Sequence, residues 1–570
     1  MKQDRYLTPS RLIMGTTILL LLLPAVGRAA APDDYPRNPD IDIQHYTFRF
    51  MLADESDSID GVAKITVHFR TAGVSRFTLD LIGRSGSMNR AGVETGMVVE
   101  SVLNEDGMIR LEHSHADDRL LIQLAEPSKA GDSRSFLVNY HGVPADGLII
   151  SENKFGERTF FGDNWPNRAR HWLPAIDHPY EKASCEFLVI APDAYQVVAN
   201  GRLIEETDLD NGTRLTHWYE DAPLPTKVMV IGVSRFAVQH LPTDGGVPIQ
   251  TWVYPQDRDG GFESFAIARQ VMDYFEKVIG PFSYEKLANV QSRTRYGGME
   301  NAGAIFYHEG RGDPVSWSES LIVHEMAHQW FGDSASEADW HHIWLSEGFA
   351  TYFTEVYMEH FYGADRFRQG MAGSRQRVLS YYYGNPESSR QSPHTDSPLV
   401  DTTLPIGNGL LSTNSYQKGS WILHMLRHEL GDEEWWKGIR EYYRRYENGN
   451  ALTRDFRAVM EEMSGENLEL FFQQWVFGPG QPDIRGSWIF DSEEDQIFIT
   501  LDQVQESNIL FDAPIEFGVV MEEGEEPVIH TFKMDDSSEL FTIPVESRPF
   551  SVILDPHVWL LARVDFNEKQ

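Results

Sequence analysis

Two histidines four positions apart, with a glutamate between them, are the residues whose types and spacing first suggest chemistry. His324, Glu325 and His328 lie in the run 320–331. On a helix both imidazoles share one face and can bind one metal ion, while Glu325 lies one step round, within reach of a water beside that ion. The rest of the run is mostly apolar, so the helix is expected to be buried. Buried imidazoles and carboxylates are costly unless something coordinates them, so the motif predicts a metal centre.

A third ligand is available at Glu347, which follows His328 after eighteen intervening residues and opens the apolar segment 344–350. Two histidines and one carboxylate leave one tetrahedral position open, which is typical of catalytic rather than structural zinc. Imidazole and carboxylate donors without thiolate suit zinc, although they do not exclude other divalent ions. The sequence therefore predicts one zinc ion on His324, His328 and Glu347, with Glu325 as the general base.

Stretches of different periodicity must position these residues. Short alternating runs broken by turn residues fill about 40–240 and predict an all-β region. A helical period follows over about 260–475, with helices predicted at 263–278, 319–331, 345–361, 415–430 and 455–463. The Gly/Pro-rich run 478–482 ends the helical pattern. Beyond it, alternating strands return in the pattern of a small β-sandwich. The pattern predicts a multidomain α+β protein.

Further motifs resemble the gluzincin aminopeptidases, the family that includes aminopeptidase N and leukotriene hydrolase. The pentapeptide Gly297-Gly298-Met299-Glu300-Asn301 resembles the family's exopeptidase motif, 24 residues before His324. The segment Tyr416-Gln417-Lys418-Gly419 resembles its catalytic tyrosine segment, and the runs 170–183 and 199–201 resemble its amino-terminal domain.

The resemblance also implies an architecture. A saddle-like all-β domain is expected at 40–240, a thermolysin-like and mainly helical zinc domain at 241–478, and a C-terminal β-sandwich at 479–570. Many relatives carry a further helical domain that covers the active site, and none is expected here. The cleft is therefore expected to be more open.

The resemblance assigns roles to matching residues. Tyr416 would stabilise the tetrahedral intermediate as a hydrogen-bond donor, a role for which Tyr381, Tyr382 and Tyr383 lack the sequence context. Glu300 would pair with the free α-ammonium of a peptide and so select the first peptide bond. Gly297 and Gly298 would let the backbone approach an extended substrate, and Met299 and Asn301 complete that binding segment.

The sequence departs from the family pattern near the amine pocket. Ser346 stands before the third ligand, where relatives often have Asn. In the run 161–165, Asp163 and Trp165 align where relatives usually carry a glutamine and a polar partner. Asp163 is expected as a second negative contact to the ammonium, and Trp165 is expected to narrow the pocket for the first side chain.

The leading hypothesis is a zinc aminopeptidase that removes single residues from peptides with a free amino terminus. One alternative is a lipid epoxide hydrolase of the leukotriene hydrolase type, which shares all three motifs. Its fatty-acid carboxylate would need a cationic partner in a chain with a large negative excess. The other alternative is a non-catalytic peptide-binding relative, but every ligand and Glu325 are present.

Composition narrows the partners and the compartment. The chain has 570 residues and one cysteine. Its formal net charge of −37 argues against nucleic-acid binding, because a strongly acidic protein repels the phosphate backbone. Residues 1–29 have the positive start, the apolar run and the small residues near the end that mark a signal peptide. The apolar run is shorter than a membrane span needs, and no later stretch could form one. An exported protein, periplasmic or secreted, is predicted, or a membrane-anchored one if the signal is not cleaved.

Overall fold

The computed structural model describes residues 33–569, except 90–91, 243–245, 311, 313, 385–396 and 508. The predicted signal peptide at 1–29 lies outside the described residues. Within the described part of the chain, no helix is both long and apolar enough to cross a membrane.

The amino-terminal region is built from strands, as the alternating pattern predicts. An eight-stranded sheet in the order β13-β14-β11-β1-β2-β8-β4-β5 packs its apolar face inward. In the first strand Tyr46, Phe48 and Phe50 point into the core, since alternate residues of a strand face the same side. A four-stranded sheet, β12-β15-β10-β9, and a three-stranded sheet, β3-β7-β6, complete the region. The strands are β1 (Ile41–Ala53), β2 (Ser56–Phe69), β3 (Arg76–Asp80), β4 (Gly96–Asn104), β5 (Arg110–Leu111), β6 (His113–Ala116), β7 (Arg119–Gln123), β8 (Ser133–Val143), β9 (Leu148–Glu152), β10 (Arg158–Gly162), β11 (Ala183–Pro192), β12 (Gln196–Ala199), β13 (Arg202–Leu209), β14 (Thr213–Leu224) and β15 (Ile231–Ser234).

The central region combines a five-stranded sheet, β16-β17-β18-β20-β19, with nine helices among the described residues. Its strands are β16 (Ala237–His240), β17 (Ile249–Val253), β18 (Leu287–Ser292), β19 (Gly298–Met299), β20 (Ala304–His308), β21 (Ser336–Glu337) and β22 (Asn450–Ala451). Its helices are α1 (Arg258–Phe265), α2 (Ala268–Val278), α3 (Glu319–Ala327), α4 (Trp344–Tyr362), α5 (Ala364–Tyr383), α6 (Gly419–Leu430), α7 (Asp432–Tyr446), α8 (Thr453–Ser464) and α9 (Glu469–Phe472). Because β16 pairs with β17, this sheet begins at Ala237, slightly before the predicted boundary at 241.

Two glycines let the helices that carry the site touch through their backbones. Gly348 in α4 and Gly419 at the start of α6 lie face to face. A Cβ added to Gly348 would come 2.8 Å from the Cα of Gly419. Real Cβ atoms essentially never come this close to another heavy atom, so this contact needs glycine at both positions.

Two facing sheets form the carboxy-terminal region. One has the order β27-β24-β23-β29 and the other β26-β25-β28. Phe517 of the second sheet packs on Phe541 and Phe566 of the first, with ring centroids 5.8 and 5.9 Å away. The strands are β23 (Asp483–Asp491), β24 (Gln496–Gln503), β25 (Ala513–Val520), β26 (Val528–Met534), β27 (Ser538–Pro544), β28 (Ser551–Leu554) and β29 (Arg563–Glu568).

The loop after β28 connects this region to helices α5 and α6 of the central region. The Trp559 ring stacks on His424 and His428 of α6, with centroids 4.4 and 4.7 Å away. Nearby, Arg375 of α5 forms an ion pair with Asp555, with Nη1 and Oδ2 2.6 Å apart. The C-terminal sheets therefore support the same helix that Tyr416 precedes.

Candidate metal centre and peptide pocket

Helices α3 and α4 bring the three predicted ligands together. His324 lies in the last turn of α3, His328 directly follows that helix, and Glu347 lies in the first turn of α4. The two Nε2 atoms are 3.2 Å apart, and Glu347 Oε2 lies 3.5 Å from His324 Nε2 and 3.3 Å from His328 Nε2. The three candidate donor atoms therefore converge on one point.

This convergence fits a tetrahedral zinc ion. With Zn–N and Zn–O bonds of about 2.0–2.2 Å, ligand atoms on a tetrahedron lie about 3.3–3.5 Å apart, close to the observed separations. Glu347 Oε2 is buried and has no hydrogen-bond partner among the described residues. A buried, unpaired carboxylate oxygen is costly without a cation, so the residues present suit the metal.

The imidazole of His328 is oriented by its other ring nitrogen. Nδ1 lies 3.0 Å from Ser346 Oγ and 3.2 Å from the Phe331 carbonyl oxygen. These partners favour hydrogen on Nδ1, which leaves Nε2 free as a ligand. Burial alone would lower the pKa of His328, but the carboxylates of Glu347 and Glu300 outweigh it and raise the pKa to about 10. The carboxylates therefore favour a positive charge at this position, which a divalent ion bound to Nε2 of a neutral imidazole would supply.

Glu325 lines the same pocket and is 5% exposed. A Cβ on Gly298 would lie 2.2 Å from Glu325 Oε1, so glycine at this position makes room for the carboxylate. Burial raises the pKa of Glu325 well above that of an exposed glutamate, against the opposing effect of His328. A bound divalent cation would favour the ionised form of this carboxylate.

Strand β19, at the edge of the sheet, places Glu300 beside the ligands. The side chain of Gln329 fixes the Glu300 backbone there. Gln329 Nε2 donates a 2.8 Å hydrogen bond to the Glu300 carbonyl oxygen, and Gln329 Oε1 accepts a 2.8 Å hydrogen bond from Gly303 N. The Glu300 side chain is 6% exposed, and its Oε1 has no partner among the described residues. A carboxylate held in this way can receive a cationic group.

The other members of the predicted binding segment differ in position. Gly298 and Met299 line the pocket with Glu300. Gly297 and Asn301 are not part of the lining. Gly297 is exposed and its carbonyl accepts from His308 N, whereas Asn301 is fully buried with both amide atoms unpartnered among the described residues.

Tyr416 reaches the site from a π-helical turn at Asn414–Lys418, directly before α6. Such turns are frequent at functional sites because they displace a side chain from the regular helical path. The Tyr416 ring stacks parallel to the His324 ring, with centroids 6.0 Å apart. Burial raises the pKa of Tyr416, and Glu347 and Glu300 raise it further, so the phenol keeps its proton and can donate it in a hydrogen bond.

The rest of the cavity is lined by a mainly apolar wall, formed by Trp165, Tyr296, Met299 and Leu411. The sequence singled out Trp165 but not Tyr296 or Leu411. Tyr296 directly precedes Gly297 and Gly298, so its position next to this motif could have indicated that it lies at the site. Leu411 carried no sequence signal.

Asp163 does not reach the pocket, contrary to expectation. It is fully buried, and its Oδ1 lies 2.5 Å from Arg168 Nη2 while its Oδ2 accepts from Arg295 N. Its charge is therefore neutralised inside the amino-terminal region. Arg168, only five residues away, is the competing partner that the alignment did not take into account.

Comparisons with known proteins agree with this architecture. Residues 43–228 match the description "Peptidase M1 N-terminal domain" and residues 263–475 match "Peptidase family M1 domain". The glutamyl aminopeptidase of Sus scrofa is 29% identical over 332 residues, which cover 56% of this chain and 34% of that protein. The leucyl aminopeptidase of Saccharolobus solfataricus is 26% identical over 406 residues, covering 67% of this chain and 49% of that protein. The match thus spans about a third to a half of the length of these relatives.

A solved structure shares the fold. The M1 zinc metallopeptidase of Deinococcus radiodurans, in a mutant form bound to a Tyr-Ser-Ala substrate, superposes with a TM-score of 0.65 at 22% identity. The superposition covers 78% of this chain and 96% of that chain. The two family descriptions follow one another in the order of the observed domains, and the ligands converge as a zinc site requires. This chain belongs to the peptidase M1 family of zinc metallopeptidases.

Proposed function

We propose that this protein is a zinc-dependent aminopeptidase that hydrolyses the first peptide bond of peptides with a free amino terminus. One observation carries the proposal. The convergent ligands and the buried, unpartnered oxygen of Glu300 line one cavity. A metal alone would serve any peptide bond, whereas a carboxylate beside it recognises a terminal ammonium.

His324, His328 and Glu347 would hold the zinc ion. When bound, zinc polarises the scissile carbonyl and lowers the pKa of a water molecule. Glu325 would accept a proton from the attacking water at its carboxylate and pass it to the leaving amine. Its burial keeps its basicity high, which favours proton acceptance.

Glu300 would pair with the peptide's α-ammonium and so fix which bond lies beside Glu325. Tyr416 would donate a hydrogen bond to the oxygen on which negative charge develops. The exposed edge of β19, with glycine at Gly298, would pair with the extended peptide backbone. We further propose that the helical region is thermolysin-like and that the two C-terminal sheets form a β-sandwich.

The alternative functions gain no support. A fatty-acid carboxylate would need a cation, and the described residues that line the cavity include neither lysine nor arginine. A protein that only binds peptides would not need Glu325, a buried carboxylate beside the metal ligands with no proposed role in binding. Export, proposed from residues 1–29, is testable by amino-terminal sequencing of the protein secreted by its host.

The proposal is tested with aminoacyl chromogenic amides and the same amides carrying an acetylated amino group. We expect cleavage of the free-amine substrates only, and equal rates on both would refute the exopeptidase assignment. Glu325→Gln should keep stoichiometric zinc and lose at least about 100-fold in kcat. Glu319→Gln, on the same helix but outside the pocket, is the matched control and should stay active.

The role of Glu300 requires a separate measurement. Glu300→Gln keeps the shape of the side chain and removes its charge, so we expect a higher KM for free amines and a smaller preference over blocked ones. An unchanged preference, in a variant with normal zinc content, would remove Glu300 from this role.

A further inference from the structure

The first side chain of a bound peptide has a defined place in the cavity. If the ammonium pairs with Glu300 and the scissile carbonyl lies at the metal ligands, that side chain projects toward the remaining lining. The remaining lining includes Trp165, Tyr296, Met299 and Leu411. This step rests on the proposed aminopeptidase function.

Trp165 is the part of this wall that is packed between two other aromatic rings. It is 2% exposed, and its ring meets Tyr296 and Trp340 edge to face, with centroids 6.0 and 5.6 Å away. Trp165 is part of the cavity lining, and its Nε1 makes no hydrogen bond to another described residue. Trp340 is held in turn by Lys227, whose ammonium lies 5.6 Å from the ring centroid.

Two cations that lie against the rings of this wall and its support, Arg168 and Lys227, are each paired with a carboxylate. Arg168 lies over the Tyr296 ring, but its guanidinium is bound to Asp163. Lys227 forms a fully buried ion pair with Glu337, with Nζ and Oε1 2.6 Å apart. Neither side chain lines the cavity.

Apart from His324 and His328, which would bind the metal ion, the acidic and basic side chains that line the cavity are carboxylates. Glu300, Glu325 and Glu347 all belong to the lining, and the ligand set takes one divalent ion against them. An acidic first side chain would lose its hydration against an aromatic wall, beside these carboxylates and without a counter-ion. An apolar side chain has no charge whose hydration would be lost, and it would bury apolar surface against the indole.

We propose that the pocket selects peptides whose first residue is uncharged and apolar, that it rejects acidic first residues, and that Trp165 determines this choice. The names of the two relatives, one glutamyl and one leucyl, point in opposite directions. The wall built around Trp165 decides between them for this chain.

The experiment compares kcat/KM for leucyl, methionyl, glutaminyl and glutamyl anilides, with zinc as the only divalent ion. Glutamine matches glutamate in shape, so it separates charge from size. We expect kcat/KM for the leucyl substrate to exceed that for the glutamyl one at least about 100-fold, with the glutaminyl substrate between them. Equal or better cleavage of the glutamyl substrate would overturn the inference, whereas failure to cleave any of the four would overturn the proposed function instead.

Variants at Trp165 test the assigned residue. Trp165→Arg places a cation in the wall and should reduce the leucyl-to-glutamyl ratio at least tenfold, while Trp165→Phe keeps an apolar ring and should preserve the ratio. A folded, zinc-loaded Trp165→Arg with an unchanged ratio would remove Trp165 as the determinant. If Trp165→Arg does not fold, Trp165→Gln replaces it, and an unchanged ratio there has the same consequence.

Discussion

The backbone contact between Gly348 and Gly419 links the metal ligand Glu347 to the helix that Tyr416 precedes. We predict that Gly348→Ala damages catalysis although alanine is the better helix former. The added Cβ would lie 2.8 Å from Gly419 Cα, whereas ordinary contacts of a Cβ begin at 3.4 Å. Helices α4 and α6 must therefore separate by about 0.6 Å, because the opposing atoms belong to backbone and cannot rotate away.

The magnitude follows from this displacement. Misplacement of a reacting group by about 1 Å can cost about 100-fold in rate, so 0.6 Å should lower kcat by about 10- to 100-fold. Overpacking destabilises by about 1–3 kcal/mol, and the helix propensity of alanine returns at most about 1 kcal/mol of this. We therefore expect a net loss of about 1–2 kcal/mol in the free energy of unfolding.

The assay measures kcat/KM on a leucyl anilide, bound zinc, and urea unfolding of the zinc-loaded protein. Gly373→Ala is the matched control, because Gly373 lies in α5, is exposed and would place its Cβ in open space. This variant should keep full activity and gain about 0.4–1 kcal/mol. Wild-type kcat and stability in Gly348→Ala would refute the reasoning that the two helices are in backbone contact.

Three further predictions concern residues around the site. Ser346→Ala removes a partner of His328 Nδ1 and should weaken zinc affinity about tenfold in competition with a chelator, because the Phe331 carbonyl remains as acceptor; Ser346→Thr should retain affinity if its hydroxyl keeps this position. Burial lowers the pKa of Lys418 to about 7, so between about pH 7 and 10 the unfolded chain binds a proton that the folded chain does not, and stability rises with pH. Urea unfolding of zinc-loaded protein should therefore show a stability difference, wild type minus Lys418→Met, that grows by about 1.4 kcal/mol per pH unit, and a difference independent of pH would exclude a neutral Lys418. Trp559→Ala removes the ring stacked on α6 and should lower stability by about 2–3 kcal/mol in thermal unfolding, whereas Trp559→Phe should recover most of the loss.

The sequence could predict that His324, His328 and Glu347 lie together because their spacing is local to one helix and the start of the next. His324 and His328 are fixed relative to each other by helical geometry, and the structure places Glu347 against both. The β-rich amino-terminal region and the helical catalytic region are confirmed, since periodicity over long stretches reports which side of each element is buried.

Other features depend on contacts that periodicity does not report. The predicted helix at 263–278 is two helices, α1 and α2, which end and begin around Ala266. Helices α5 and α7 were not predicted. In α5 the apolar positions are sparse among arginines and glycines. In α7 the buried residues Trp435, Ile439 and Tyr442 recur at helical spacing, so periodicity could have indicated that helix. Asp163 was assigned to the pocket because the sequence cannot choose between a ligand and a nearby arginine as the partner of a buried carboxylate.

The pocket wall has a consequence for recombination between members of the family. Trp165 comes from the amino-terminal domain, whereas the Tyr296 and Trp340 rings that hold it come from the catalytic domain. A chimera in which only the catalytic domain is replaced would keep Trp165, but the residues at the positions of Tyr296 and Trp340 would come from the other protein. The chimera would then have the substrate preference of neither parent. To transfer the preference for a first residue from one family member to another, both domains would have to be exchanged together.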